Sequence, residues 1–196
     1  WHFVAGTYDA ATGHATVEWR ALEQGGLTEI AEGSLAGGSI VSDRPLLIAA
    51  DGLLDVGRPA PTGCFNGKIE HPRVFDRALK PDELDALNAN ADPTGIDGLV
   101  GAWNFSASPP HTAALADSGP NDLHGSIVNY PMRGLTGHLW DGTAFRRAEA
   151  PEHYGAVHFH DDDFDDSRWE CDFEFEVPAD LQSGFYAAHL RGAGED

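Results

Sequence analysis

The chain has 196 residues, a formal net charge of -20 and a sequence pI of about 4.6. So large an acidic excess repels phosphate-rich partners and excludes a nucleic-acid or anionic-membrane surface as the working face. Hydrophobic residues make up 41%, enough for a packed core, yet no apolar run reaches the roughly 20 residues of a membrane span.

The length leaves room for one large β domain or a domain and a half. The sequence opens on Trp1 with no secretory leader and reads as an excerpt. Aspartate outnumbers glutamate 20 to 12, and Lys68 and Lys80 are the only lysines beside ten arginines, a heavily solvated surface that suits a salt-tolerant or high-GC bacterial source. Cys64 and Cys171 lie far apart with no CxxC spacing. That is neither a disulfide framework nor a zinc site, and it fits a reducing cytoplasm.

Period-2 patterns dominate. "WHFVAGTY" and "HATVEWRAL" are joined by "DAATG", with Gly13 available for a positive φ, and predict a hairpin. Its second strand alternates Ala15, Val17, Trp19 and Ala21 with His14, Thr16, Glu18 and Arg20, which predicts one buried and one wet face. "PLLIAADG" is continuously apolar and predicts a strand in a sandwich core, whereas "DGLLDVGRPAPTG" predicts a loop. "KPDELDALNAN" predicts a short helix. Pro81 suits its first turn, Asp82 and Glu83 favour the positive end, and Leu84 and Leu87 share a face that caps a sheet end. "SASPPHTAALADSGPNDLHG" is a loop long enough for a lid or an interdomain connection. Near the end, "ECDFEFEV" sets Cys171, Phe173, Phe175 and Val177 against four acids and predicts another strand needing an opposing layer. "SGFYAAHL" predicts one more, closed by the turn signal "RGAGED". A sandwich begun near Ala156 should therefore continue past Asp196, and the chain expressed alone should aggregate through open strand edges.

Chemistry-bearing clusters are few. In "AVHFHDDDFDD", His158 and His160 share a strand face and make a reasonable first pair for zinc or iron, with Asp162 next if the strand runs on. Three successive aspartates leave a strand quickly, and a site also needs a third ligand and an open position. Hydrogen-bonding histidines beside solvated acids are the preferred reading. The EF-hand spacing is absent, so calcium at another loop, with Asp51 or Asp55 contributing, is the remaining ion site. No G-x-S-x-G elbow is present. No residue is assigned as catalytic, cofactor-binding or metal-ligating. Trp1, Trp19 and Trp103 lie in strand patterns and are expected in the core. Trp140, in "HLWDG", is expected to be partly exposed as a partner contact or, on a rival reading, a sugar-stacking ring. The sequon at Asn104 is taken as chance.

"WHFVAGTYDAATGHATVEW" resembles a recurrent hairpin of the laminin-G-like, concanavalin A-like jelly roll, and "CFNGKIEHPRVFDRALKPDEL" resembles the closing signature of the same fold. Pro72 departs from the pattern, because proline cannot donate to a ladder and should mark an edge or a bulge. Such a fold places strands before its W-H-x-V hairpin, so the core is expected to be incomplete. "LVGAWNFS…ALADSGPNDLHGSIVNYP…GHLWDG", Leu99 to Gly142, resembles opening strands of a laminin-G-like domain and is expected to pair with or pack against Trp1 to Leu79.

The stretch from "RGLTGHLWDG" through "YGAVHFHDDD", "RWECDF" and "SGFYAA" resembles the large subunit of bacterial N,N-dimethylformamidases. The resemblance implies hydrolysis of N,N-dimethylformamide to dimethylamine and formate. It also implies assembly from large and small subunits, with iron held by tyrosine and glutamate in a domain downstream of Asp196. There the ion would polarise the carbonyl and supply hydroxide, and no residue of this chain matches those ligands.

The expected architecture is all-β, an incomplete jelly-roll β-sandwich followed by the start of a second β domain. Residues 1–97 form the C-terminal part of the jelly roll, 98–150 laminin-G-like strands and a connector, and 151–196 the start of the next domain. The expected function is a non-catalytic N-terminal portion of an iron-dependent amidohydrolase large subunit. It holds no cofactor itself, its partners are the downstream catalytic domain and the small subunit, and it works in a cytoplasmic oligomer. The alternatives are a laminin-G-like glycan- or protein-binding module and a structural part of a related enzyme acting on a different amide.

Overall fold

A computed structural model describes residues 1–39, 42–161, 170–171 and 173–189. Twelve strands among these residues form five small antiparallel sheets, with one α-helix. The chain divides into two compact units, Trp1–Asp163 and Phe164–Asp196.

In the first unit, β1 (His2–Tyr8), β2 (His14–Ala21) and β3 (Thr28–Ser34) form a meander in that order. Gly13 takes φ 74° in the first turn, where a side chain would also collide with the Leu35 carbonyl, and the Leu35 amide donates to Gly13 O at 2.8 Å. The turn is therefore closed by the exit of β3. The expectation of a buried apolar face on β2 is corrected. Val17 is 57% exposed and Val4, diagonal to it on β1, 63%. The ionic face is the covered one, because Glu18 is buried, pairs with Arg20, and Arg20 Nη1 reaches Asp85 Oδ1 of the helix at 2.6 Å. An apolar strand face is buried only where a second layer reaches it, and here the helix reaches the other side. Trp19 stacks on His2 with ring centroids 4.1 Å apart, and Trp1, expected in the core, is 41% exposed.

The next two predictions exchange places. "PLLIAADG" is not a strand: Pro45 has no amide to donate and Ala49 sits at φ 68°, so no ladder runs through it, although Ile48 packs against the core. The presumed loop after it contains β4 (Gly52–Asp55) paired with β5 (Pro59–Thr62) around Gly57 at φ 86°. Pro59 and Pro61 are tolerated because both strands of a two-stranded sheet are edges.

The main core is assembled from segments distant in sequence. β6 (Gly67–Ile69) ends before Pro72 and β7 (Arg73–Phe75) begins after it. The two go to different partners. β6 pairs with β12 (Ala156–Phe159), which also pairs with β11 (Met132–Leu135), while β7 pairs with β8 (Leu99–Ala102) across a register shift at Val74/Phe75. Pro72 is thus a break between strands, and its carbonyl accepts from the Trp103 amide at 3.0 Å. Trp103, Phe105 and Val157 are buried together, with Ile69, Val74, Leu115 and Phe159 against them. Burial of side chains this size contributes about 1.5–3 kcal/mol each. The indole also donates to Leu123 O at 2.9 Å, which satisfies its one polar atom.

Asp117 explains the "DSG" motif physically. Its buried carboxylate accepts from the amides of Ala102 (2.8 Å), Gly119 (2.7 Å) and Leu123 (2.9 Å), so one side chain ties the loop between β9 (Ala114–Leu115) and β10 (Gly125–Ser126) to β8. Burial opposes its ionisation, but the three amides outweigh burial and hold its pKa below the usual value. The helix α1 (Pro81–Asn88) buries Leu84 and Leu87, as the spacing predicts. Arg77 grips Glu83 through two bonds of 2.6 and 2.8 Å, and this pairing, with the Lys80 amide, lowers the Glu83 carboxyl to about 2.

The described residues of the second unit contain no strand, which corrects the prediction for "ECDFEFEV" and "SGFYAAHL". Phe173, Phe175, Val177, Phe185 and Tyr186 are exposed, and a period-2 pattern with nothing to pair or cover it does not form a ladder. Asp172 and Leu190 lie outside the described residues.

Candidate functional site

The break at Pro72 creates a polar cluster in the first unit. Glu70 and His71 occupy the two positions between the end of β6 and the proline. His71 has φ 50°, and Asn90, just past α1, has φ 63°. Both are side-chain-bearing residues in the left-handed region, which costs energy and so requires firm surroundings. Gly137, in "TGHLW", lets the chain pass so close to Glu70 that a side chain there would collide with the carboxylate.

Glu70 Oε1 accepts from the His138 amide at 2.7 Å and also pairs with His138 Nδ1. His138 Nε2 meets Asn90 Oδ1 at 2.6 Å. His71 stands edge-on to His138, with centroids 5.9 Å apart. Glu70 Oε2 and His71 Nε2 are buried without a hydrogen-bond partner among the described residues, and both face Gly155, each 3.5 Å from where a Cβ would lie. Burial raises the Glu70 pKa, but the His138 ring and amide outweigh it, so the carboxyl is held below its ordinary value. Burial pushes His71 down, helped by Arg73 and His138 and opposed by Glu70 and Asn104.

A carboxylate that orients an imidazole is half of an acid–base relay. Here the outer imidazole nitrogen is occupied by Asn90 rather than by a nucleophile, so the cluster works as a clamp joining the β6–β7 break, the end of α1 and the segment before Trp140. His71, Arg73 and Asn90 line two cavities, a cleft of 1090 Å³ and a smaller one of 290 Å³.

The residues singled out from sequence lie elsewhere. His158 is on β12 opposite Lys68 and Met132, and its ring centroid is 5.1 Å from that of His160; Asp162 is outside the described residues. Asp51 Oδ1 accepts from Thr62 Oγ1 at 3.3 Å and Asp55 Oδ1 from the Gly57 amide at 3.1 Å, so each serves its own hairpin. Trp140 is 40% exposed and donates to Ala144 O at 3.1 Å. Asn104 Oδ1 accepts from the amide and hydroxyl of Ser106. Among the described residues no three His, Cys, Asp or Glu side chains gather in a metal-holding group. No helix among them is long and apolar enough to cross a membrane. The Glu70 cluster escaped the sequence reading because Glu70 and His138 lie 68 residues apart. Its local signals were the proline after "IEH" and the glycine before His138.

Residues 132–196 match the family described as "N,N-dimethylformamidase beta subunit-like, C-terminal". The chain is 39% identical over 156 residues to the N,N-dimethylformamidase beta subunit of Alcaligenes sp, covering 76% of this chain and 20% of that protein. With the beta subunit of Paracoccus aminophilus the identity is 41% over 139 residues, covering 67% and 18%. The chain is homologous to the N,N-dimethylformamidase beta subunit, and it spans about a fifth of the length of these relatives.

Proposed function

We propose that the chain is a non-catalytic, N-terminal portion of the large subunit of an iron-dependent amide hydrolase that converts N,N-dimethylformamide to dimethylamine and formate in the cytoplasm. Its role is to position the downstream catalytic domain and to offer surface for assembly with the small subunit in an oligomer. Its small sheets belong to an incomplete concanavalin A-like jelly roll over residues 1–97, extended by laminin-G-like strands and a connector over 98–150, with a second β domain opening over 151–196.

The observation that carries this reading is the identity to two beta subunits along most of the chain. The uncovered apolar face at Val4 and Val17 supports it, because a face of this kind is a docking surface in a larger assembly. The test is Val17→Asp in the full-length enzyme with both subunits. Recovery of assembled enzyme should fall about tenfold while kcat per assembled enzyme stays within about twofold, the pattern of lost assembly rather than lost transition-state binding. Intact assembly with kcat reduced by orders of magnitude would place catalysis in this portion and sink the proposal.

A further inference from the structure

Three unpaired strand edges border one cavity. Among the described residues β1 pairs only with β2, β6 is an outer strand of the order β11-β12-β6, and β7 pairs only with β8. The 1090 Å³ cleft is lined by two unbroken runs, Trp1 to Thr7 and Lys68 to Phe75. Side chains of a strand alternate between faces, so a cavity touching every residue of a strand touches its main chain.

The phase of the exposed groups follows from the register. Asp9 donates to His14 O at 2.8 Å and Leu22 to Trp1 O at 3.0 Å, and hydrogen-bonded pairs alternate with non-bonded ones between those ends. The amides of Phe3, Ala5 and Thr7 therefore belong to the β1–β2 ladder, and those of His2, Val4, Gly6 and Tyr8 point away from it. Nothing lies within 4 Å of where a Gly6 side chain would begin, so another backbone can approach closely there. Apolar side chains of Ile48, Val74, Leu84 and Leu87 also line the cleft. Its volume is at the upper limit of the roughly 300–1,000 Å³ typical of small-molecule sites, and strand edges share its walls with the polar side chains of Glu70, His71, Arg73 and His138.

We infer that this cleft receives an extended segment of the same polypeptide from outside residues 1–196, which adds as a strand to the free edge of β1 and covers the edges of β6 and β7. The inference rests on the reading that the chain is part of a longer large subunit, since relatives of which it matches only about a fifth leave ample polypeptide to supply the strand. Strand addition supplies affinity through main-chain hydrogen bonds and specificity through alternate side chains, here apolar ones meeting Leu84, Leu87 and Val74. A second copy could pair β1 with β1 but would leave β6 and β7 open. Tethering within one polypeptide also gives the added strand a high effective concentration.

The test is hydrogen exchange at single-residue resolution in the full-length large subunit assembled with its small subunit. The outward amides of Val4 and Gly6 should exchange at least about 100-fold more slowly than an open edge. Val4→Pro removes an outward amide without touching a β1–β2 bond. It should release Gly6 and Tyr8 while Ala5 and Thr7 remain protected. Open-edge exchange at Val4 and Gly6 in the unaltered enzyme overturns the inference whether or not the proline variant folds. Protection lost on dilution would assign the cleft to a second copy, and protection lost on removing the small subunit would assign it to that subunit. Neither result reads activity, so a failure here leaves the Val17→Asp test of the wider reading standing.

Discussion

Within the first compact unit, the core around Trp103 and the meander β1–β2–β3 represent opposite outcomes of similar sequence. Both present alternating apolar residues. Around Trp103 these residues are met by strands from three other parts of the chain and vanish from solvent, whereas Val4 and Val17 stay more than half exposed. Apolar alternation specifies a face; only a second layer determines whether it is buried. The meander is held instead by its ladder and by the ionic contact from Arg20 to Asp85.

The sharpest way to break this contrast is to cut into the packed side. Trp103→Ala should destabilise the protein by about 3–5 kcal/mol, through lost burial, a cavity and an unpaired Leu123 carbonyl. Urea unfolding of the variant should show the loss as a lower midpoint. A cost near that of a surface change would mean that Trp103 is no better covered than Val17. Asp117→Ala comes next, at roughly 2–4 kcal/mol, because three backbone amides lose their acceptor.

Much of this contrast was legible in the sequence and part was not. The hairpin turn at Gly13, the helix after Pro81 and the strand break at Pro72 each follow from a residue whose backbone preference decides the local structure. The stretch from Leu99 to Gly142 was recognisable as a resemblance, and Asp117 and Trp103 supply the physical reason for two of its residues. Burial on β2 was misjudged because periodicity names a face without naming what covers it. "PLLIAADG" was misjudged because its composition hid a left-handed Ala49. The Glu70 cluster is a tertiary product, with His71, Asn90 and His138 brought together from separate segments, and no window of sequence contains it.

The smallest effect lies where the two regions meet and concerns pH. His71 is held below its ordinary value of 6.5, chiefly by burial, so the folded state binds its proton less readily than the unfolded chain. Stability is therefore complete above 6.5 and falls as the pH drops from there toward the folded value. Glu70 is held below its ordinary 4.5, so its contribution is present above 4.5 and is lost at still lower pH. The two groups act in sequence, His71 first. His71→Asn keeps a residue that tolerates a positive φ and removes the titrating ring. It should flatten the stability curve just below pH 6.5 relative to the unaltered protein, and leave the fall below 4.5 in place. An unchanged slope just below pH 6.5 would show that His71 reaches water as freely as the open face of the meander, and the clamp at Pro72 would then belong with the uncovered side of the molecule.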